Sequence, residues 1–111
     1  MPGNIENISK EYTREISNIF SDKLKKVILY GSYARGDYDE YSDIDIMILV
    51  DMSNEEIENK WDDVMDSKCK IDNKYDVFLS PIIKDINHFS EWLPFLPFYK
   101  NVINDGVVWY G

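Results

Sequence analysis

Two aspartates one residue apart, Asp43 and Asp45, open the run D-I-D-I-M-I-L-V. The run reads as a strand over 43–50, and alternate strand residues share a face, so both carboxylates project together while Ile44 and Ile46 point the other way. Like charges beside apolar neighbours repel each other and are poorly solvated, so one pKa rises unless a cation compensates. Oxygen ligands alone select hard ions such as Mg²⁺ or Mn²⁺. A third carboxylate, Asp76, stands near the start of another β-rich segment, K-Y-D-V-F. Neighbouring strands lie about 4.8 Å apart, close enough for three carboxylates to converge. Two-metal phosphoryl-transfer sites need this, with ions about 3.5–4 Å apart, one activating the attacking oxygen and one holding the leaving group. Taken singly, each aspartate is better explained as an ordinary charge at a strand end, and Asp72 is a rival for the third position.

Gly31 and Ser32 follow a short apolar run, Val27 to Tyr30. Glycine lets backbone approach a ligand closely, and free amides at a helix start favour phosphate, although Gly-Ser is also an ordinary turn. The spacing adds weight, because ten residues separate Ser32 from Asp43, giving G-S-x₁₀-D-x-D. Arg35 offers a guanidinium suited to phosphate oxygens, and is equally a solvated loop charge. His88 is the single histidine and Cys69 the single cysteine, so no zinc pattern, disulfide or Cys-His nucleophile pair is available within the sequence.

Positioning these groups requires alternating helices and strands. Apolar residues from Ile5 to Phe20 recur at intervals of three and four, which predicts a helix over 5–20 with Asn4 as its cap. Strands are expected over 27–30, 43–50 and 74–80, the last closed by Pro81, with one helical turn after Ser32. The spacing of Ile57, Trp61, Val64 and Met65 predicts a second helix over 54–67, capped by Ser53 or Asn54. An aromatic, partly helical segment over 85–98 and a final amphipathic stretch complete one α/β unit, expected to be a single domain over 1–111. The segment Trp92 to Tyr99 reads mainly as cover for the sheet, and otherwise as an aromatic docking surface.

Twelve basic and twenty-one acidic residues give a formal charge of −9, which repels a phosphate backbone and argues against direct nucleic-acid binding. The same repulsion makes a bridging divalent metal obligatory if a nucleotide binds among carboxylates. No apolar run approaches the roughly 20 residues that cross a bilayer, and the N-terminus lacks the features of a secretory signal, so no membrane association and a cytoplasmic location are expected.

Together GSYARG, SDIDIMILV and the lone aspartate of KYDVFLS resemble the nucleotidyltransferase superfamily that includes DNA polymerase beta and the kanamycin nucleotidyltransferases. The chain is most similar to the minimal nucleotidyltransferase (MNT) antitoxins paired with HEPN-domain toxins; the tail PFYKNVINDGVVWY is a less specific part of that likeness. The resemblance implies a polymerase beta-like α/β (α+β) fold, a small mixed sheet with flanking helices. It implies that Asp43 and Asp45 bind both Mg²⁺ ions, and that Asp76 completes the nucleophile's metal site and serves as general base. Gly31 and Ser32 would lie against the β and γ phosphates of ATP, with Arg35 as a further phosphate contact. AMP would pass to a hydroxyl, a tyrosine of a HEPN toxin, with pyrophosphate released and the toxin neutralised. Two alternatives stay open: adenylylation of a small molecule such as an aminoglycoside, and a non-catalytic antitoxin that acts by covering its toxin.

Overall fold

The computed structural model describes residues 4–111. Helix α1 (Ile5–Phe20) forms where the spacing predicts it, because Ile5, Ile8, Tyr12, Ile16 and Phe20 make one buried face. Asn4 occupies the cap position, but its side chain makes no capping hydrogen bond. A 3₁₀ turn, Ser21–Lys23, leads into strand β1 (Leu24–Tyr30), and one turn of helix, α2 (Ser32–Arg35), follows it. Strand β2 (Ile44–Val50) is almost wholly buried.

Helix α3 (Asn54–Tyr75) starts on the expected cap: the Ser53 side chain accepts from the Glu56 N–H, while the Glu56 side chain accepts from the Ser53 N–H. It runs well past the predicted end at residue 67. The polar stretch after Ser67 suggested a loop, yet Lys68 and Ile71 extend the buried face begun by Ile57 and Val64. The strand expected over 74–80 therefore moves along the chain, and β3 spans Leu79–Asp85. Pro81, read as its stop, lies inside it. This is tolerated because β3 is an edge strand whose only neighbour among the described residues is β2, so proline's missing N–H breaks no ladder on the open side. Helices α4 (Ile86–Trp92) and α5 (Pro97–Asp105) and strand β4 (Val107–Tyr110) complete the fold.

The sheet order is β3-β2-β1-β4, with β1 antiparallel to β2 and β4, and β3 parallel to β2. A parallel pair needs a crossover connection, which α3 supplies. Alternate residues of the central strands feed two cores. Val27, Leu29, Ile44, Ile46 and Ile48 pack with α1 and α3, while Ile28, Met47 and Leu49 pack with Phe89, Tyr99 and Val102 of α4 and α5. Covering β2 on both faces holds the position of its first residues, the end at which the carboxylates stand.

The aromatic segment divides by position. Tyr99 is buried and Leu93 and Leu96 are half-buried against the second core, whereas Trp92, Phe95 and Phe98 are exposed. The sheet-cover reading thus holds for the first group only. Among the described residues no helix is long and apolar enough to cross a membrane.

Candidate active site

The end of β1 and the start of β2 lie side by side, with Tyr30 opposite Asp45. Gly31 then takes φ 76° and ψ −154°, a region essentially closed to other residues. A Cβ at this position would lie 2.3 Å from Oδ2 of Asp45. The missing side chain is what allows the Gly31–Ser32 turn to rest on that carboxylate. The turn is closed by Gly36 at φ 86°, whose N–H donates to the Ser32 carbonyl at 2.9 Å.

Asp45 is half-buried on the α5 side of the sheet. Burial raises its pKa, the charge of Asp43 raises it further, and Arg35 partly offsets both. The Tyr30 hydroxyl beside it is pushed up to about 12 by burial and by the Asp45 charge.

The expectation that both carboxylates share one face holds only in part. Asp45 opens into a cleft of about 310 Å³ bordered by Gly31, Ser32 and Arg35 and, across from them, by Asn101 and Asp105. Asp43 lies just ahead of β2 and opens into a second cleft of about 280 Å³, which it shares with Asp76. Arg35 is held at the first cleft by Asp37, Nε to Oδ2 at 3.2 Å, and by Asp105, Nη1 to Oδ2 at 3.8 Å.

Asp76 is not on a strand. It terminates α3 in the left-handed conformation, φ 53° and ψ 53°, and is exposed. Asp72 fixes the turn that carries it. Its carbonyl accepts the N–H groups of Asp76 and Val77, its Oδ1 accepts the Leu79 N–H at 2.8 Å, and its Oδ2 pairs with Lys68 Nζ. Both Asp72 oxygens are thereby engaged within the protein, which removes it as a rival third carboxylate. Among the described residues no three acidic, histidine or cysteine side chains are gathered to hold one metal ion. Asp43 and Asp45 offer a pair of neighbouring oxygen ligands of the kind that suits a hard divalent cation, with Arg35 offsetting part of their charge.

The chain matches the nucleotidyltransferase domain family over residues 13–109. It belongs to that family. Two proteins of Methanocaldococcus jannaschii, each named "Putative protein adenylyltransferase", are similar to it. One, MJ0141, is 48% identical over 71% of this chain and 78% of its own length; the other, MJ0604, is 36% identical over 96% and 99%. Two solved chains share the fold at TM-score 0.59, each over 93% of this chain and 73% of its own: one from the toxin–antitoxin MntA-HpeT in a mutant form, 17% identical, and one from a toxin–antitoxin with AMP-PNP, 19% identical.

Residues to which the sequence assigns no part in the chemistry also border the two clefts. Phe98, Asn101 and Asp105 of α5 form the far wall of the first cleft, and Glu40 and Tyr41 border the second. A signal for α5 was present in the spacing: Phe98, Asn101 and Asp105 recur at three and four residues on a face distinct from buried Tyr99 and Val102. Cys69 is exposed, and His88 is exposed with its Nδ1 3.2 Å from the Tyr99 hydroxyl; neither borders a cleft with the carboxylates.

Proposed function

We propose that this nucleotidyltransferase is a Mg²⁺-dependent protein adenylyltransferase of the antitoxin type, transferring AMP from ATP to a tyrosine hydroxyl of a cognate HEPN-domain toxin. The observation that carries the reading is the contact between Gly31 and Asp45, which joins a phosphate-compatible turn to a carboxylate pair in need of a cation. The names of the two archaeal relatives support protein adenylylation, and the toxin–antitoxin neighbours, one with AMP-PNP, support the partner class and the nucleotide. The formal charge of −9 speaks against nucleic acid as acceptor.

In this mechanism Asp43 and Asp45 would hold two Mg²⁺ ions, with Asp76 contributing from the end of α3. When bound, the metal neutralises phosphate charge and acidifies the acceptor hydroxyl. Gly31 lets the backbone reach the β and γ phosphates, Ser32 adds a hydroxyl, and the Arg35 guanidinium exchanges its carboxylate partners for phosphate oxygens. The acceptor oxygen forms a bond to the α-phosphorus as the bond from that phosphorus to the bridging oxygen breaks, and pyrophosphate leaves. Asp76 takes the hydroxyl proton. Incubation of the protein with Mg²⁺, each nucleoside triphosphate and a purified HEPN partner, followed by intact-mass spectrometry, tests the reading. A gain of one or more nucleoside monophosphates with ATP is expected; no gain with any nucleotide overturns it.

A further inference from the structure

We propose that the second cleft is the acceptor site and that it selects a tyrosine flanked by lysine or arginine; this rests on the adenylyltransferase reading. Attack at the α-phosphorus runs in line, so the entering oxygen and departing pyrophosphate need opposite sides of the phosphorus. Two clefts meet at the start of β2, the first walled by α5 and bordered by Asp45, the second beside the end of α3 and bordered by Asp43 and Asp76. The clefts differ in charge. The first has Arg35 and the glycine turn, which suit phosphates. The second is bordered by no lysine or arginine, and of its carboxylates Asp43 and Asp76 go to the metal in the proposed mechanism, which leaves Glu40 to attract a cationic side chain.

Its aromatic residues suit the same ligand. Tyr41 is 85% exposed, and its backbone is anchored by an N–H donated to Asp39 Oδ1 at 2.8 Å, leaving the ring open to a guanidinium or ammonium. Phe78, in the same cleft, has the Lys68 ammonium 3.8 Å from its ring centroid, so that face is taken and Tyr41 is the ring left for the acceptor's cation. Glu40 takes no part in the proposed transfer chemistry, so its charge contributes to recognition alone.

The test compares two synthetic tyrosine peptides of equal length, one flanked by lysine and arginine and one by glutamate, as acceptors for the wild type and for Glu40→Lys. AMP transfer is read by mass spectrometry and pyrophosphate release in parallel. The wild type is expected to show a KM about tenfold lower for the basic peptide, an advantage that shrinks as salt screens the exposed charges. Glu40→Lys is expected to remove most of that advantage by raising KM for the basic peptide, with the KM for ATP unchanged. Equal KM values for the two peptides, or an unaltered preference in Glu40→Lys, overturn the proposal while leaving the transferase reading intact. Modification of an aminoglycoside with neither peptide modified also overturns it, assigning the acidic cleft to a small cationic acceptor. Absence of pyrophosphate and of AMP transfer with every acceptor, the HEPN partner included, sinks the transferase reading and the proposal with it.

Discussion

Replacing Gly31 by alanine tests the central contact of the site. The added Cβ would sit 2.3 Å from Asp45 Oδ2, whereas a carbon and an oxygen in contact keep about 3.3 Å apart, so the turn and the carboxylate must separate by about 1 Å. The backbone conformation itself costs a non-glycine residue about 1–3 kcal/mol. In a domain of this size each kcal/mol lowers Tm by roughly 4–8 °C, so a fall on the order of 10 °C is expected by circular dichroism. A displacement of about 1 Å at a reacting centre costs about 100-fold in rate, read as pyrophosphate release. Gly36→Ala is the matched control, because Gly36 also has a positive φ, 86°, but nothing lies within 4 Å of its added Cβ. It should lose about 1–2 kcal/mol of stability and little activity. Near-normal release by Gly31→Ala, or equal losses in the two variants, would refute the argument from the Asp45 contact.

Further expectations follow from burial and charge. Asp45 has a folded pKa above its ordinary value, so its contribution to stability is intact in acid and declines as pH rises through the folded pKa. Asp45→Asn should therefore gain on the wild type in Tm as pH rises, while losing transfer and any stabilisation by Mg²⁺; a gap that does not change with pH contradicts the assignment. Asp72→Ala leaves the nearly buried Lys68 without its carboxylate and the Leu79 N–H without its acceptor. A loss of about 3 kcal/mol in urea unfolding is expected, and a change under about 1 kcal/mol would count against the clamp. The Tyr12 hydroxyl is buried with no hydrogen-bond partner among the described residues, and burial pushes its pKa up. Tyr12→Phe should raise stability by about 1 kcal/mol in thermal unfolding, and a fall in Tm would mean that the hydroxyl is bonded.

The strongly periodic elements were legible in the residues themselves. The face of α1 from Ile5 to Phe20 left no competing reading, and the burial of β2 on both sides followed from its unbroken apolar run. The later part of α3 was hidden because its buried face continues through Lys68, a charged residue that reads as solvent-exposed until Asp72 and Phe78 are seen beside it. That error carried over to β3 and to Asp76, which terminates a helix rather than opening a strand. Around Asp45, sequence separation marked Gly31; spacing also groups Phe98, Asn101 and Asp105 on one face of α5, but that this face lies across from Gly31 depends on how the second core packs. The orientation of Asp43 into a different cleft from Asp45 likewise depends on where β2 begins, and strand boundaries are weakly written in sequence.

Helix α3 leaves β2 at the end far from the carboxylates and returns to them 22 residues later, a rigid span of about 33 Å. Its two ends are fixed independently, one by the Ser53–Glu56 capping box and the other by the Asp72 turn. Inserting a single residue between them would rotate everything downstream by about 100° and advance it by about 1.5 Å, carrying Asp76 out of the cleft it shares with Asp43. Side chains on the exposed face can be exchanged freely without this effect. Lineages descended from this chain are thus free to rewrite the exposed face of α3 but not its length.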